Sequence, residues 1–348
     1  MSILSYLPGV ILALFGFGLL IMVHEVGHLV AAKRSGIYVE EFWIGMGPEI
    51  WSHYFGETLY CLRLLPIGGA CVMEGEDGES VSPRSFNRAS RWRRFLVLIA
   101  GVTMNFLTGI LIIYILLAIN DGGTIVRPIL DEFIEGFKYE GEDGLMVGDQ
   151  LLKMNDRNIH LRGDVDIALR DAPKDGKFDI LVRRNGKKVW IKDLELKPDI
   201  ERDGQMMYGL QFIRIKATPA WRLYSAFWRS MDMAGAIWQS LKDLARGDVG
   251  VDQLSGPVGV TSIMAQTAKH DLLLFWNLVA FISINLGVMN LLPIPGLDGG
   301  RLLFLLVEAI RRKPLGPKLE TYVNVAGLVL LFGIMIYATG NDILRLIK

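Results

Sequence analysis

Four long apolar runs, separated by polar stretches, dominate the pattern of hydrophobic positions along the chain. Three of the runs carry no Asp, Glu, Lys or Arg, and all four reach or approach the roughly 20 residues that a helix needs to cross hydrocarbon. The pattern predicts a polytopic α-helical membrane protein with four transmembrane helices. The runs cover residues 7–32, 95–119, 272–293 and 322–339.

The first run is predicted to be a retained span rather than a signal peptide. No basic segment precedes it, and its apolar part is longer than the core of a secretory signal. Its C-terminal end holds His24, Glu25 and His28. Ionisable groups are expensive inside a membrane and usually functional there.

The middle of the chain, residues 121–215, is charged and punctuated by Gly and Asp. Two short alternating segments, 178–182 and 189–191, flank Asn185-Gly186 and predict a hairpin. The stretch 144–155 resembles the region of a PDZ domain that leads into a strand, with the PDZ helix starting near Asp164. That resemblance implies peptide binding by strand addition, and an unrelated small α+β domain is the alternative.

These patterns divide the chain into four regions. The segment after the middle domain includes a stretch, 221–245, with aromatic residues at helical spacing and interspersed charges, which favours an interfacial amphipathic helix over a fifth span. A loop containing Ser255-Gly256-Pro257-Val258-Gly259 follows it. The predicted regions are a first membrane region (residues 1–120), the PDZ-like domain (121–215), the interfacial helix and loop (216–270), and a second membrane region (271–348).

Composition fits a chain that mixes membrane and aqueous regions. Of its 348 residues, 51% are hydrophobic and 21% charged, and the mean hydropathy is +0.34. The formal net charge is zero, which gives no indication of nucleic-acid binding.

Lys and Arg are concentrated in the connections between the first two and the last two spans, which predicts that both connections are cytoplasmic. The PDZ-like domain is then extracytoplasmic. Cys61 and Cys71 fall on the reducing side and are expected to be free thiols. His24 lies nine residues before Lys33, about 13 Å along a helix, so a site there is nearer the cytoplasmic face.

The candidate chemistry begins with His24-Glu25-Val26-Gly27-His28, an H-E-x-x-H motif. Two histidines four residues apart share one face of a helix and can reach one metal ion. Glu25 is displaced around the helix, yet close enough to take a proton from a water at the metal. The alternative is a pair of buried histidines without metal.

A catalytic zinc site has three protein ligands and an open fourth position. The candidate for the third ligand is Asp298, in a Gly-rich and Pro-rich stretch, 290–300, that interrupts the third span. Irregular backbone at membrane depth is tolerated only in a cavity lined by protein or water. By spacing alone, an Asp in such a loop is more often a turn residue.

The order of these motifs resembles the site-2 protease family, in particular its bacterial RseP-like branch, over nearly the whole chain. The H-E-x-x-H motif of the first span and the Asn-x-x-Pro-x-Pro-x-x-Asp-Gly-Gly motif of the late span carry the resemblance. Three further segments, 42–48, 65–69 and 100–106, are similar to segments of that branch.

That resemblance implies an intramembrane zinc metalloprotease in a bacterial cytoplasmic (inner) membrane. It implies Zn²⁺ held by His24, His28 and Asp298, with Glu25 as general base, and supporting roles near substrate or oxyanion for two asparagines, Asn105 and Asn290. A membrane re-entrant β-hairpin over about 38–72 is implied as well.

Implied partners are the lipid bilayer, single-pass membrane substrates such as a pre-trimmed anti-sigma factor or remnant signal peptides, and a peptide ligand of the PDZ-like domain. Two features depart from the branch: Val102 replaces a usual proline, and there is room for a single PDZ unit.

Two other classes of protein remain open at this point. A transporter or channel also holds ionisable groups within the membrane, although the second and fourth spans here offer almost none. A membrane scaffold that presents a PDZ unit without catalysis is the second alternative, and the complete set of His24, Glu25, His28 and Asp298 argues against it.

Overall fold

The computed structural model describes residues 7–76, 80–202, 205–250, 255–313 and 316–347. The chain forms two compact units. The first, called the membrane unit below, comprises residues 1–113 and 230–348; the second, called the sheet unit, comprises residues 114–229.

Helices and β-strands follow one another in this order: α1 (Leu7–Arg34), β1 (Val39–Phe55), β2 (Thr58–Met73), α2 (Arg91–Ile119), β3 (Thr124–Phe133), β4 (Gln150–Met154), β5 (Arg157–Asn158), α3 (Arg162–Arg170), β6 (Lys177–Arg184), β7 (Lys187–Glu195), β8 (Ile200–Arg202), β9 (Gln205–Met207), β10 (Leu210–Lys216), α4 (Pro219–Arg246), α5 (Pro257–His270), α6 (Leu272–Asn290), α7 (Asp298–Arg311) and α8 (Pro317–Ile347).

Four helices of the described chain are long and apolar enough to cross a membrane, as expected for a multi-pass membrane protein. The third of these ends at Asn290, before the two prolines that follow, because proline lacks the amide hydrogen that a helix interior requires. The four segments are Leu7–Arg34, Arg91–Ile119, Leu272–Asn290 and Leu319–Arg345.

Two helices of the membrane unit were not expected from the sequence. α5 lies in the segment interpreted as an interfacial helix and loop, and α7 lies in the connection between the last two spans. α5 packs closely on α1: a Cβ atom at Gly9 would lie 2.5 Å from the carbonyl oxygen of Ala265. The predicted amphipathic stretch 221–245 falls within α4, and residues 251–254 lie outside the described residues.

A long antiparallel hairpin, β1 with β2, occupies the place of the predicted hairpin over about 38–72. Its base is buried, with Phe42 and Cys71 in a cluster that includes Val97 of α2. Its far end exposes apolar side chains, among them Trp51 and Phe55. Entry of this end into the membrane stays a prediction. Cys61 and Cys71 are both free and buried, as expected.

The sheet unit contains an antiparallel sheet with strand order β10-β3-β4-β6-β7, in which β5 also pairs with β4. One face of the sheet packs on α3 around a core that includes Leu151, Val165 and Phe178. The predicted turn joins β6 to β7, with Asn185 at φ 51° and Gly186 at φ 80°, the positive angles that a tight hairpin turn requires.

Strand β10 ends the path of the sheet, paired with β3. Near this edge, Tyr208 donates a hydrogen bond to the carbonyl oxygen of Leu169 in α3, at 3.0 Å. An edge strand beside a helix is the arrangement that strand addition needs. The PDZ-like assignment of residues 121–215 stays a prediction.

Candidate active site

His24 and His28 lie on one face of α1, one turn apart, and both are buried. They open onto a cavity of about 390 Å³ within the membrane unit. Four further polar side chains that the sequence singled out, Glu25, Asn105, Asn290 and Asp298, also line it. The remaining lining residues are Ile21, Ala70, Cys71, Val72, Met73, Glu76, Leu98, Leu286, Gly296, Leu297 and Arg301.

Three potential ligand atoms converge in this cavity. The Nε2 atoms of His24 and His28 are 3.2 Å apart, and Oδ2 of Asp298 lies 3.2 Å from the first and 3.3 Å from the second. Ligands at about 2.0–2.1 Å from a tetrahedral zinc ion are separated by about 3.3 Å. The triangle therefore has the dimensions of one face of a zinc tetrahedron.

The surroundings of the Asp298 carboxylate fit a cation in this triangle. Its Oδ2 atom is buried and has no hydrogen-bond partner among the described residues. A buried carboxylate oxygen without a partner is costly unless a cation is coordinated there. Among the described residues, these three side chains form the group of His, Cys, Asp and Glu residues that could hold a metal ion.

Each histidine is oriented through its other ring nitrogen. Nδ1 of His28 lies 2.9 Å from the carbonyl oxygen of Val97 in α2, so this nitrogen donates its proton and leaves Nε2 as a lone-pair ligand. Nδ1 of His24 lies 3.1 Å from the side-chain amide of Asn105. Helix α2 therefore fixes both rings.

The Asn105 amide gives a second indication of the state of His24. As oriented, its Nδ2 faces the ring and its Oδ1 is buried without a partner among the described residues. If Nε2 of His24 binds a metal, Nδ1 carries the proton and needs an acceptor. A rotation of the amide by 180° supplies Oδ1 as that acceptor. The orientation of an Asn amide is assigned from its hydrogen-bond partners, and a proton on Nδ1 favours the rotated one.

Helices α1 and α2 approach closely because glycines face each other's helix at the site. A Cβ atom at Gly27 would lie 2.6 Å from the carbonyl oxygen of Ala100, and a Cβ atom at Gly101 would overlap Nε2 of His28. No larger residue fits at either position without moving the backbone or a histidine. The sequence alone identifies Gly101 only as a member of the segment 100–106, with no indication of this contact.

Asp298 is placed by the start of α7, the helix that the sequence did not predict. It occupies the first turn of α7, directly after the irregular stretch that ends α6. Two ion pairs hold α7: Glu308 with Arg94 of α2, and Arg301 with Glu76 after β2. The partners in each pair are far apart in sequence, so neither ion pair could be predicted from the sequence.

Glu25 faces the other wall of the cavity, formed by the hairpin. Its Cγ would lie 3.2 Å from a Cβ atom at Gly69, and its carboxylate interacts with the backbone of Cys71. Close approach of the strand thus depends on Gly69. Asn290, the last residue of α6, lines the cavity as well.

Fold and site together define a membrane-embedded metallopeptidase. Residues 12–334 match Peptidase family M50, and the chain belongs to this family, the site-2 proteases. It is a zinc metalloprotease, as its relatives' names also indicate.

Three relatives cover nearly the whole chain. A Clostridium perfringens protein that carries a zinc metalloprotease name is 36% identical over 337 residues, covering 96% of this chain and 98% of the relative. Zinc metalloprotease RasP of Bacillus licheniformis and the regulator of sigma-W protease RasP of Bacillus subtilis are each 30% identical, over 412 and 415 residues, covering 95% of this chain and 97% of each relative.

Proposed function

We propose that this chain cuts membrane-protein substrates at the cavity between α1, α6 and the hairpin, with zinc held by His24, His28 and Asp298 and with Glu25 as general base. The observation that carries the proposal is the triangle of three ligand atoms, 3.2–3.3 Å on each edge, with Glu25 in the same cavity.

Bound zinc would act as a Lewis acid on the scissile carbonyl and on the attacking water. The Glu25 carboxylate accepts a proton from that water and then returns it to the amide nitrogen that leaves. Nδ1 of His28 donates to the carbonyl oxygen of Val97, which leaves its Nε2 free of a proton. With the Asn105 amide rotated so that Oδ1 faces the ring, Nδ1 of His24 donates to it and Nε2 of His24 is free as well.

Two asparagines support the reaction in this proposal. With the Asn105 amide turned so that Oδ1 accepts from His24, its Nδ2 becomes a donor beside the cavity. Asn290 lines the same cavity. Amide donors at this place can stabilise negative charge that develops on the substrate oxygen.

The hairpin offers the means to hold a substrate. Peptide bonds in a transmembrane helix are protected by helical hydrogen bonds, so a substrate must unwind before it is cut. Ala70, Cys71 and Val72 of β2 line the cavity, and a strand beside the site can bind an extended segment by backbone hydrogen bonds. Apolar side chains at the far end of the hairpin fit re-entry into the membrane.

Location and substrates follow from charge and from the relatives. The distribution of Lys and Arg supports a bacterial cytoplasmic membrane with residues 121–215 outside and the site near the cytoplasmic face. Because one relative is named as a regulator of sigma-W protease, we propose a pre-trimmed anti-sigma factor or signal-peptide remnants as substrates. The PDZ-like domain would bind a peptide end or exclude bulky ectodomains.

One experiment separates this function from a transporter or a silent scaffold. The purified chain, reconstituted with a single-pass substrate, should cut it within the membrane segment, and mass spectrometry should locate the cut. His28→Ala and Asp298→Ala should lose both zinc and cleavage, whereas His270→Ala, which removes a histidine outside the cavity, should keep both. Cleavage by zinc-free Asp298→Ala would refute the proposal.

A further inference from the structure

A second cavity lies wholly within the sheet unit, on the face of the sheet opposite its hydrophobic core. Its volume is about 490 Å³. Strands β3, β4, β6 and β7 form its floor, and the first two turns of α4 form a wall. The lining residues are Arg127, Pro128, Gln150, Leu152, Lys153, Asn158, Ile159, His160, Leu181, Arg183, Lys188, Trp221 and Tyr224. We call it the basic groove.

Charge in the basic groove is of one sign. Arg127, Lys153, Arg183 and Lys188 all line it, and none of its lining residues is Asp or Glu. Among the described residues, none of these four cations forms an ion pair. Four uncompensated cations around one concave surface attract an anion, and Arg and Lys together are suited to a phosphate group.

Arg127 is held in place for such a ligand. Its guanidinium carbon lies 4.0 Å from the centre of the Trp221 ring, a stacked arrangement that fixes the guanidinium plane. Its Nε atom is buried and has no hydrogen-bond partner in the described stretches of the chain. A buried N–H donor without an acceptor is unfavourable, and a bound anion would supply the acceptor.

The rest of the wall indicates where that anion comes from. Trp221 and Tyr224 combine an apolar ring with a polar atom, as is common at membrane interfaces. The same helix exposes Leu223 and Phe227, four residues apart, at 56% and 43%. An exposed apolar strip beside cations is typical of a helix that lies at a lipid surface.

Chain connectivity agrees with this location. Arg127 is eight residues beyond Ile119, the last residue of a candidate membrane span. Eight extended residues reach at most about 29 Å, so Arg127 lies within that distance of the end of the span. We propose that the basic groove binds the phosphate headgroup of an anionic phospholipid, a site separate from the proteolytic cavity and independent of its chemistry.

The test uses the full chain in nanodiscs of phosphatidylcholine that contain a small fraction of phosphatidylglycerol with a photoreactive headgroup. After illumination, the crosslinked peptides are mapped by mass spectrometry. We expect crosslinks in residues 217–229. Lys153→Gln/Lys188→Gln should lower their yield at subsaturating lipid by roughly 25-fold, since each cation near an anionic surface contributes roughly fivefold to binding.

Two further variants keep this test falsifiable. Lys174→Gln/Lys177→Gln removes the same charge from exposed positions outside the groove and should leave the yield unchanged. Lys153→Arg/Lys188→Arg keeps both positive charges and should also keep the crosslink yield of the unchanged protein. Equal yields from both Gln variants, or no crosslink in residues 217–229, would overturn the proposal.

A final arm identifies the source of the phosphate. Inorganic phosphate and an acidic peptide are added to the same nanodiscs as competitors. We expect that neither competitor reduces crosslinking at concentrations that leave the bulk ionic strength unchanged. If either competitor removes the crosslink under those conditions, the groove serves a soluble anion or a peptide and the assignment to lipid is wrong.

Discussion

The membrane unit and the sheet unit both bury polar side chains, but they use them differently. In the sheet unit, Asp149 is fully buried and fully engaged: it accepts from Arg184 and from the amide of Met146. In the membrane unit, Asp298 has a buried oxygen with no hydrogen-bond partner among the described residues. Asp298 therefore keeps an oxygen free for a ligand, whereas the contacts of Asp149 are taken up within the fold.

Asp164 of the sheet unit makes the same contrast. Its Oδ2 accepts from the backbone amides of His160 and Leu161 at 2.8 Å each, so it organises the start of α3. Nothing in its described surroundings calls for a ligand. Changes in the membrane unit should therefore alter zinc and chemistry, and changes in the sheet unit should alter stability or substrate choice.

The largest effect is expected from the closest contact in the membrane unit. In Gly101→Ala, the added methyl group overlaps Nε2 of His28, so the ligand triangle cannot form and zinc content should fall to background, together with activity. Metal analysis of the purified protein measures this. Gly333→Ala is the matched control, because a Cβ atom there has no neighbour within 4 Å. Full zinc content in Gly101→Ala would contradict the close packing of α1 and α2.

A smaller effect is expected where a side chain only orients a ligand. Asn105→Ala removes the partner of His24 Nδ1 but no ligand. Removal of such a partner typically weakens metal binding by about 10–100-fold. Competition with a zinc chelator gives the affinity. Asn105→Asp, which keeps an acceptor oxygen, should bind zinc more tightly than Asn105→Ala; the reverse order would refute the proposed proton on Nδ1.

The sequence predicted features that depend on neighbouring residues better than features that depend on contacts between distant segments. The four spans and the hairpin turn at Asn185-Gly186 follow from periodicity and turn chemistry, which are local. The residues His24, His28 and Asp298 were also proposed from motifs, and the structure brings them together. The re-entrant hairpin, the PDZ-like assignment and the orientation in the membrane stay predictions.

What the sequence did not reveal depends on contacts between distant segments. The sequence did not predict helix α7, which lies in the connection between the last two spans. Its amphipathic pattern is short and follows a Gly-rich and Pro-rich stretch. The partner of Glu308 in α7 is Arg94 in α2, more than 200 residues away in sequence. Its identity becomes evident only when the two helices are packed together.

The sheet unit is expected to influence substrate choice and not the metal. Replacing residues 125–213 by a short linker should leave zinc content unchanged, because all three proposed ligands belong to the membrane unit. If the domain excludes bulky ectodomains, untrimmed substrate is now cut while trimmed substrate is cut as before. If the domain recognises a trimmed end, cleavage of trimmed substrate slows. Loss of zinc in the deletion protein would contradict the division between the units.

The smallest effect concerns pH and His160. Burial lowers the pKa of His160 below its ordinary value of 6.5, where its ring stacks on Trp228 with the centroids 3.3 Å apart. The unfolded chain therefore takes up the proton first. This contribution to stability is present above about pH 6.5 and is lost as the pH falls toward the lower folded pKa.

Hydrogen exchange of residues 177–195, corrected for the intrinsic pH dependence, would measure this loss of stability in the full chain. His160→Gln should remove the additional opening that appears as the pH falls below about 6.5. The same pH dependence in His160→Gln would assign the effect to another group.

In the proposed site Glu25 acts on water while three other side chains hold the metal, and Glu25→Gln separates these two roles. The variant keeps the size of the side chain and removes the base. Zinc content and cleavage of a reconstituted single-pass substrate are measured on the same sample. We expect one zinc per chain, with cleavage reduced by about 10²–10⁴-fold or more. Near-normal cleavage, or loss of zinc from Glu25→Gln, would contradict it.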